Sequence, residues 1–309
     1  MPVNRGRKNP FLLAPALSAW ILVISAAAGF FSLDSLPGLW PYITALLLLL
    51  VAFGCPLALF LLCRGPVSFV KMGVGRPNRR MLGFAAAGAV VLILQSCILK
   101  LGLFRGTYDG ASFTLLGMTF SGNVTSFWEL LFALLSLVVL PAACTELFFR
   151  GAVMYEYRFA GALGQVLMSS LLFALTALDF SRFFVCLLGG LLLSAVAFLS
   201  GNLFCAMAVH TAYRLFSLFA EKYLWTMSAS TGGKTAFWFL IFSLYLISLA
   251  LFFLLAEKLL RRRMTAEEAP APSVPRQRRP VVVYDILSAP PLMLDVLVFA
   301  IFAVVALFL

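Results

Sequence analysis

The chain has 309 residues, 63% of them hydrophobic and only 11% charged, with a mean hydropathy of +1.04. Soluble domains carry about 25% charged residues, so this composition excludes a large water-soluble catalytic domain and defines a polytopic membrane protein. The formal net charge of +11 would point to nucleic acid in a soluble chain; here the basic residues flank apolar runs, read as a topology signal and imply no nucleic-acid partner.

A helical crossing needs about 20 apolar residues, and nine runs are predicted to supply one each: 11–32, 38–63, 82–103, 127–148, 163–180, 183–201, 203–221, 237–256 and 291–309. The expected fold is therefore an all-α helical bundle of about nine spans. It shows no internal repeat, no Gly-rich phosphate loop and no strand-like segment. With the N-terminus in the cytoplasm, the inside segments collect Arg5, Arg7 and Lys8, the group from Arg64 to Arg80, Arg150 and Arg158, and the basic residues from Lys258 to Arg279. The outside segments hold only Lys100, Arg105, Arg182, Lys222 and Lys234. The positive-inside rule then places the N-terminus inside and, after an odd number of spans, the C-terminus outside. The expected location is a bacterial plasma membrane. Arg5, Arg7 and Lys8 before the first run, with Ala26-Ala27-Ala28 after it, also have a faint likeness to a signal peptide, whose removal would leave every later orientation unchanged.

From 257 to 280 the sequence turns to EKLLRRRMTAEEAPAPSVPRQRRP, too polar for the membrane and too proline-rich for a helix. It is expected to be a flexible cytoplasmic linker whose basic ends meet anionic lipid or simply stay hydrated. The six cysteines, Cys55, Cys63, Cys97, Cys144, Cys186 and Cys205, all fall in apolar runs without a CxxC pair and are expected to pack as small hydrophobes.

Ionisable groups inside spans are costly and are functional candidates by default. Glu146 and Arg150 are four residues apart at the end of the fourth run, on one helical face, where they can neutralise each other. His210 and Arg214 repeat that spacing in the seventh run, and His210 is the sole histidine. Two readings stay open for these residues. The first is structural: a buried salt bridge and a hydrogen-bonded packing histidine. The second is chemical: a carboxylate serving as general base on water, with imidazole or guanidinium stabilising an oxyanion. Asp179 and Arg182 are expected to form an interfacial ion pair, Glu129 to lie at an interface, and Asp295 to snorkel or meet another helix.

From about Leu140 to Phe216 the order of these features resembles the CPBP family of intramembrane proteases, which includes the type 2 CAAX prenyl proteases and the bacteriocin-processing and immunity proteins. The family motif Glu-Glu-x-x-x-Arg-Gly is similar to Thr145-Glu146-Leu147-Phe148-Phe149-Arg150-Gly151. The motif Phe-x-x-x-His is similar to the stretch from Phe173 to Ala177, and His-x-x-x-Asn to the stretch from His210 to Arg214. The resemblance implies an all-helical membrane core with a cavity toward the cytoplasm. It also implies that the first glutamate activates water while two histidines and an asparagine position water or stabilise the oxyanion. Thr145, Ala177 and Arg214 stand where the first glutamate, the second-motif histidine and the asparagine are expected; His210 alone keeps its identity among those four.

On this resemblance the chain divides into N-terminal spans at 1–126, a CPBP-like core at 127–256, the linker at 257–280 and an appended span at 281–309. The first expectation is a catalytically degenerate protein that uses the inherited cavity to hold a membrane-anchored peptide or protein, within membrane lipid. The second is an active endopeptidase with a rearranged site using Glu146 and His210. A transporter ranks last, because no paired Gly/Pro-broken spans are evident. Glu146 and His210 offer only two metal ligands, so no metal or other cofactor is expected.

Overall fold

A computed structural model of the chain describes residues 9, 11–31, 36–64, 73–103, 112–121, 126–229, 234–265 and 279–308. Within these, every one of the nine apolar runs contains a helix. Helix α1 is Leu13–Ala28, α2 is Trp40–Arg64 and α3 is Arg79–Leu103. Helix α4 covers 127–156, α5 Gly161–Leu175, α6 Phe180–Ser200 and α7 Leu203–Phe219. Helices α8 (Glu221–Ala229), α9 (Lys234–Thr265), α10 (Arg279–Leu287) and α11 (Pro290–Phe308) complete the bundle. By length and composition five helical stretches among the described residues can cross a membrane, or up to seven when the bent pairs α7/α8 and α10/α11 each count as one. Helices α1 and α5 have 16 and 15 residues, short of a full crossing.

Two expectations are corrected. Strands β1 (Ser112–Leu115) and β2 (Met118–Ser121) form an antiparallel hairpin in which Leu115 faces Met118. Its two-residue turn has positive φ at both Leu116 (49°) and Gly117 (80°), the backbone hand that matches strand twist. The turn lies against the end of α1: a Cβ on Gly117 would stand 2.6 Å from the Ser25 carbonyl oxygen. Gly117→Ala is therefore expected to push the hairpin off α1 and cost about 1–2 kcal/mol, which a thermal melt of the detergent-solubilised variant checks. The second correction concerns the segment from Glu257. Helix α9 does not stop at the change of composition but continues to Thr265, with Arg261 bonded to Glu257 one turn back at 2.6 and 2.9 Å. The spacing of four suits the helix, and no proline intervenes before Pro270. Residues 266–278 of the expected linker lie outside the described residues.

Packing follows two apolar clusters. One joins α1, α2, α4, α5 and α11, and the other joins α3, α6, α7 and α9. Large apolar side chains such as Phe239, Ile247 and Phe253 on α9 face outward, as lipid-facing residues do. Because lipid tails are as apolar as leucine, close approach and polar contacts between helices carry the specificity. Helices α5 and α6 show both: Ser170 donates to Ser194, Ser194 to Ser169, and Ser169 to the Phe149 carbonyl in α4, over 2.8–3.3 Å. Gly190 allows this approach, since a Cβ there would meet Ser170 Cα at 3.2 Å.

The N-terminus of α1 has no cap of its own. The buried carboxylate of Glu156 supplies one from the end of α4, accepting from the backbone N–H groups of Leu13 and Ala14 at 3.0 Å each, while its other oxygen meets Arg64 at 3.0 Å. Charge-assisted amide bonds at a helix N-terminus stabilise it. Glu156→Ala is expected to lower stability by about 1–2 kcal/mol, with faster amide exchange confined to the first turn of α1 as the identifying sign. At the other end of the chain Asp295 is fully buried where α11 packs on α1, beside Ser18; it meets a helix and does not snorkel.

Candidate functional site

Helix α4 is not uniform. It widens into π-helical turns at Leu134–Val139 and Leu147–Val153, on either side of the stretch that carries Thr145 and Glu146. Such turns alter the facing of side chains and recur at functional sites. Between them α4 meets α7 at the junction of the two apolar clusters, bringing Glu146 to His210.

Glu146 is fully buried, and Arg150 and His210 are each 3% exposed. The Glu146 Oε1 lies 2.8 Å from His210 Nδ1 and accepts from Arg150 Nη1 at 3.3 Å, while Oε2 faces Arg150 Nε at 3.3 Å. Arg150 also donates to the Gly190 carbonyl at 3.1 Å and stacks its guanidinium 4.7 Å from the Phe173 ring centre. On the far side of the imidazole, Arg214 Nε donates to His210 Nε2 at 3.2 Å, and Arg214 Nη1 donates to the Leu137 carbonyl at 3.0 Å. Leu137 belongs to the first π-helical turn. An arginine donates only, so the lone pair it meets must be on Nε2 and the ring proton must be on Nδ1, aimed at Glu146. The network is closed: a carboxylate between a guanidinium and an imidazole, and the imidazole between that carboxylate and a second guanidinium.

Thr145 lies 3.3 Å from His210 Nδ1, but its hydroxyl donates back to the carbonyls of Pro141 (2.7 Å) and Ala142 (3.2 Å). This is the usual satisfaction of a threonine within a helix. Ala177 lies in the turn after α5, partly exposed. Phe173, four residues before it, does reach the site, with its ring centre 6.1 Å from that of His210. Asp179 is the N-cap of α6, accepting from the N–H groups of Ser181 and Arg182 at 2.7 and 3.1 Å, with the Arg182 side chain at 4.0 Å. Glu129 is likewise spent in a capping box with Ser126. Of the motif residues, Thr145, Glu146, Arg150, His210 and Arg214 are thus brought together.

A cavity of about 50 Å³ adjoins His210, walled among others by Gln95, Ser96, Phe173, Cys186 and Tyr213. Phe173 opens the Phe-x-x-x-His stretch, but no motif position marked the others: Cys186 and Tyr213 resemble ordinary core residues in sequence, and α3 lies outside the resemblance altogether. Nor could sequence have singled out the Gly190 and Leu137 carbonyls.

The donor set does not suit a metal ion. Among the described residues no three His, Cys, Asp or Glu side chains come together to hold one. Glu146 faces a guanidinium that would repel a cation, and both nitrogens of His210 are engaged.

A helical membrane protein with a buried Glu–Arg–His–Arg constellation at a π-distorted helix is the class these observations define. Residues 127–216 match the family model for type II CAAX prenyl endopeptidase Rce1-like proteins, so this segment is similar to that family. No curated protein and no solved structure matches the chain.

Proposed function

We propose that this protein is a catalytically degenerate relative of the CAAX-type membrane endopeptidases, acting as a scaffold that binds a membrane-anchored peptide or protein. One observation carries the reading: both bases of the site are engaged, Glu146 Oε1 and the His210 lone pair by hydrogen bonds and Glu146 Oε2 by the Arg150 charge at 3.3 Å, without a hydrogen bond of its own. Glu146 is held by Arg150 and His210, and the His210 lone pair by Arg214. Thr145, at the position of the family's first glutamate, has no basic group at neutral pH. His210 lines the cavity and Glu146 does not, so a water there meets an imidazole whose lone pair Arg214 has already taken. The charge distribution along the sequence supports an inside N-terminus, and a bacterial plasma membrane is the proposed location.

Membrane-anchored peptides carrying a photo-crosslinker, prenylated and unprenylated, test the reading when presented to the full-length protein in lipid bilayers. Saturable crosslinking to α3, α6 or α7 residues around the cavity, competed by unlabelled peptide and without peptide shortening, is the expected result. Crosslinking that does not saturate for any peptide contradicts it.

A second reading is favoured by the 2.8 Å Glu146–His210 contact beside a cavity. Release of Arg214 would return a lone pair to the imidazole, giving an endopeptidase with Glu146 and His210 in rearranged roles.

A further inference from the structure

Beyond the site itself, helices α3 and α7 run parallel and are joined by two polar ties on the far side of the cavity from Asn202. The first is Ser96 Oγ to Tyr213 OH, 3.1 Å, both residues on the cavity wall. One turn further along α3, Lys100 Nζ donates to both carboxylate oxygens of Glu221, eight residues beyond Tyr213 and past the end of α7, at 2.8 and 3.0 Å, and Ser217 also donates to Glu221. Lys100 is 8% exposed, lies in a π-helical turn at Ile98–Leu103, and stands 5.4 Å from the Tyr213 ring centre. Glu221 opens α8, which bends away from α7 by 56°. The pair therefore joins the end of α3 to a break in the α7/α8 span.

In the opposite direction the helices pack tightly. Cys205, Ala206 and Val209, on the α7 turns leading back to Asn202, are 0%, 0% and 1% exposed, and Glu146 and Arg150 fill the α4 side. Cys186, by contrast, lies on the cavity wall in the second turn of α6, toward the α8 end, and is half-buried. The cavity, at about 50 Å³, holds about three or four waters at roughly 10–15 Å³ each, and Gln95, Ser96 and Tyr213 give them polar partners.

We propose that the Lys100–Glu221 pair latches an entrance to the cavity beside His210, admitting water and small uncharged solutes from the α8 end of the bundle. A buried ion pair next to a helix break is suited to this. Paired, the two charges hold α8 against α3; with either charge removed, the other must find water, and Lys100 stands over Tyr213, which lines the cavity. The inference does not depend on whether the site cuts peptides.

Cys186 reports on the entrance and Cys205, fully buried toward the start of α7, is the control within the same molecule. Full-length protein in lipid vesicles is treated with N-ethylmaleimide, and the modified fraction at each cysteine is followed by mass spectrometry. Lys100→Met and Glu221→Gln are each expected to raise the rate at Cys186 about tenfold or more, as a thiol gaining access does, with Cys205 unchanged. The exchanged pair Lys100→Glu/Glu221→Lys is expected to return Cys186 toward the original rate. An unchanged Cys186 in either single variant overturns the proposal. So does a parallel rise at Cys205, which marks general loosening, or an exchanged pair as fast as the single variants.

Discussion

Glu146→Ala is expected to cost about 3–5 kcal/mol of stability, the range for breaking one partner out of a buried ion pair. The carboxylate is the single negative charge between Arg150 and the His210–Arg214 pair, and both Glu146 and Arg150 side chains are 0% exposed. With it gone, Arg150 keeps only the Gly190 carbonyl and the Phe173 ring, too little to replace a full counter-charge in a low-dielectric interior. The double variant Glu146→Ala/Arg150→Met removes both charges and is expected to recover most of that loss, because replacing a whole buried pair with apolar groups is close to neutral. Equilibrium unfolding in mixed micelles checks both. Equal stability of Glu146→Ala and the unaltered protein contradicts the packing described here.

The second large effect is chemical. His210 is the sole histidine of the chain, so its modification by diethyl pyrocarbonate is read at one site without background. The reagent needs an unprotonated ring nitrogen with its lone pair free. Here Nε2 accepts from Arg214, Nδ1 carries the proton toward Glu146, and the residue is 3% exposed. The unaltered protein is expected to resist the reagent. Arg214→Asn shortens the side chain beyond reach of both Nε2 and the Leu137 carbonyl, and is expected to speed modification by about tenfold or more, the scale set by losing one charged hydrogen bond. Fast modification of the unaltered protein contradicts the closed network and favours the endopeptidase reading.

Much of the site was legible because helical periodicity is local. The spacing of four puts Glu146 beside Arg150 and His210 beside Arg214 whatever the fold, and both contacts are present. Sequence could not say which cation would sit where: Arg150 takes the carboxylate, and Arg214 takes the imidazole and a carbonyl. That choice depends on two π-helical turns in α4, which leave no compositional mark and which rotate Glu146 relative to a regular helix. The hairpin was missed for a related reason. Its turn, Leu116-Gly117, lacks the Asn-Gly or Asp-Gly pair that announces such turns, and it sits between apolar residues. Glu156 shows the same limit at long range: its partners are 92 and 142–143 residues away, and no sequence pattern links a carboxylate at the end of α4 to the bare N-terminus of α1. Helix α9 outruns its apolar segment because Glu257 and Arg261 support a helix as well outside the membrane as leucine does within it.

Degeneracy is tested most directly by incubating the full-length protein in lipid vesicles with membrane-anchored peptides, prenylated and unprenylated, and searching for fragments by mass spectrometry. Glu146→Gln serves as the control, and an active CAAX-type protease cutting the same peptides validates the substrates. The closed Glu146–His210–Arg214 network predicts intact peptides with both forms of this protein. Fragments produced by the unaltered protein and lost in Glu146→Gln at equal abundance would contradict it, and would make Glu146 the base of a working endopeptidase.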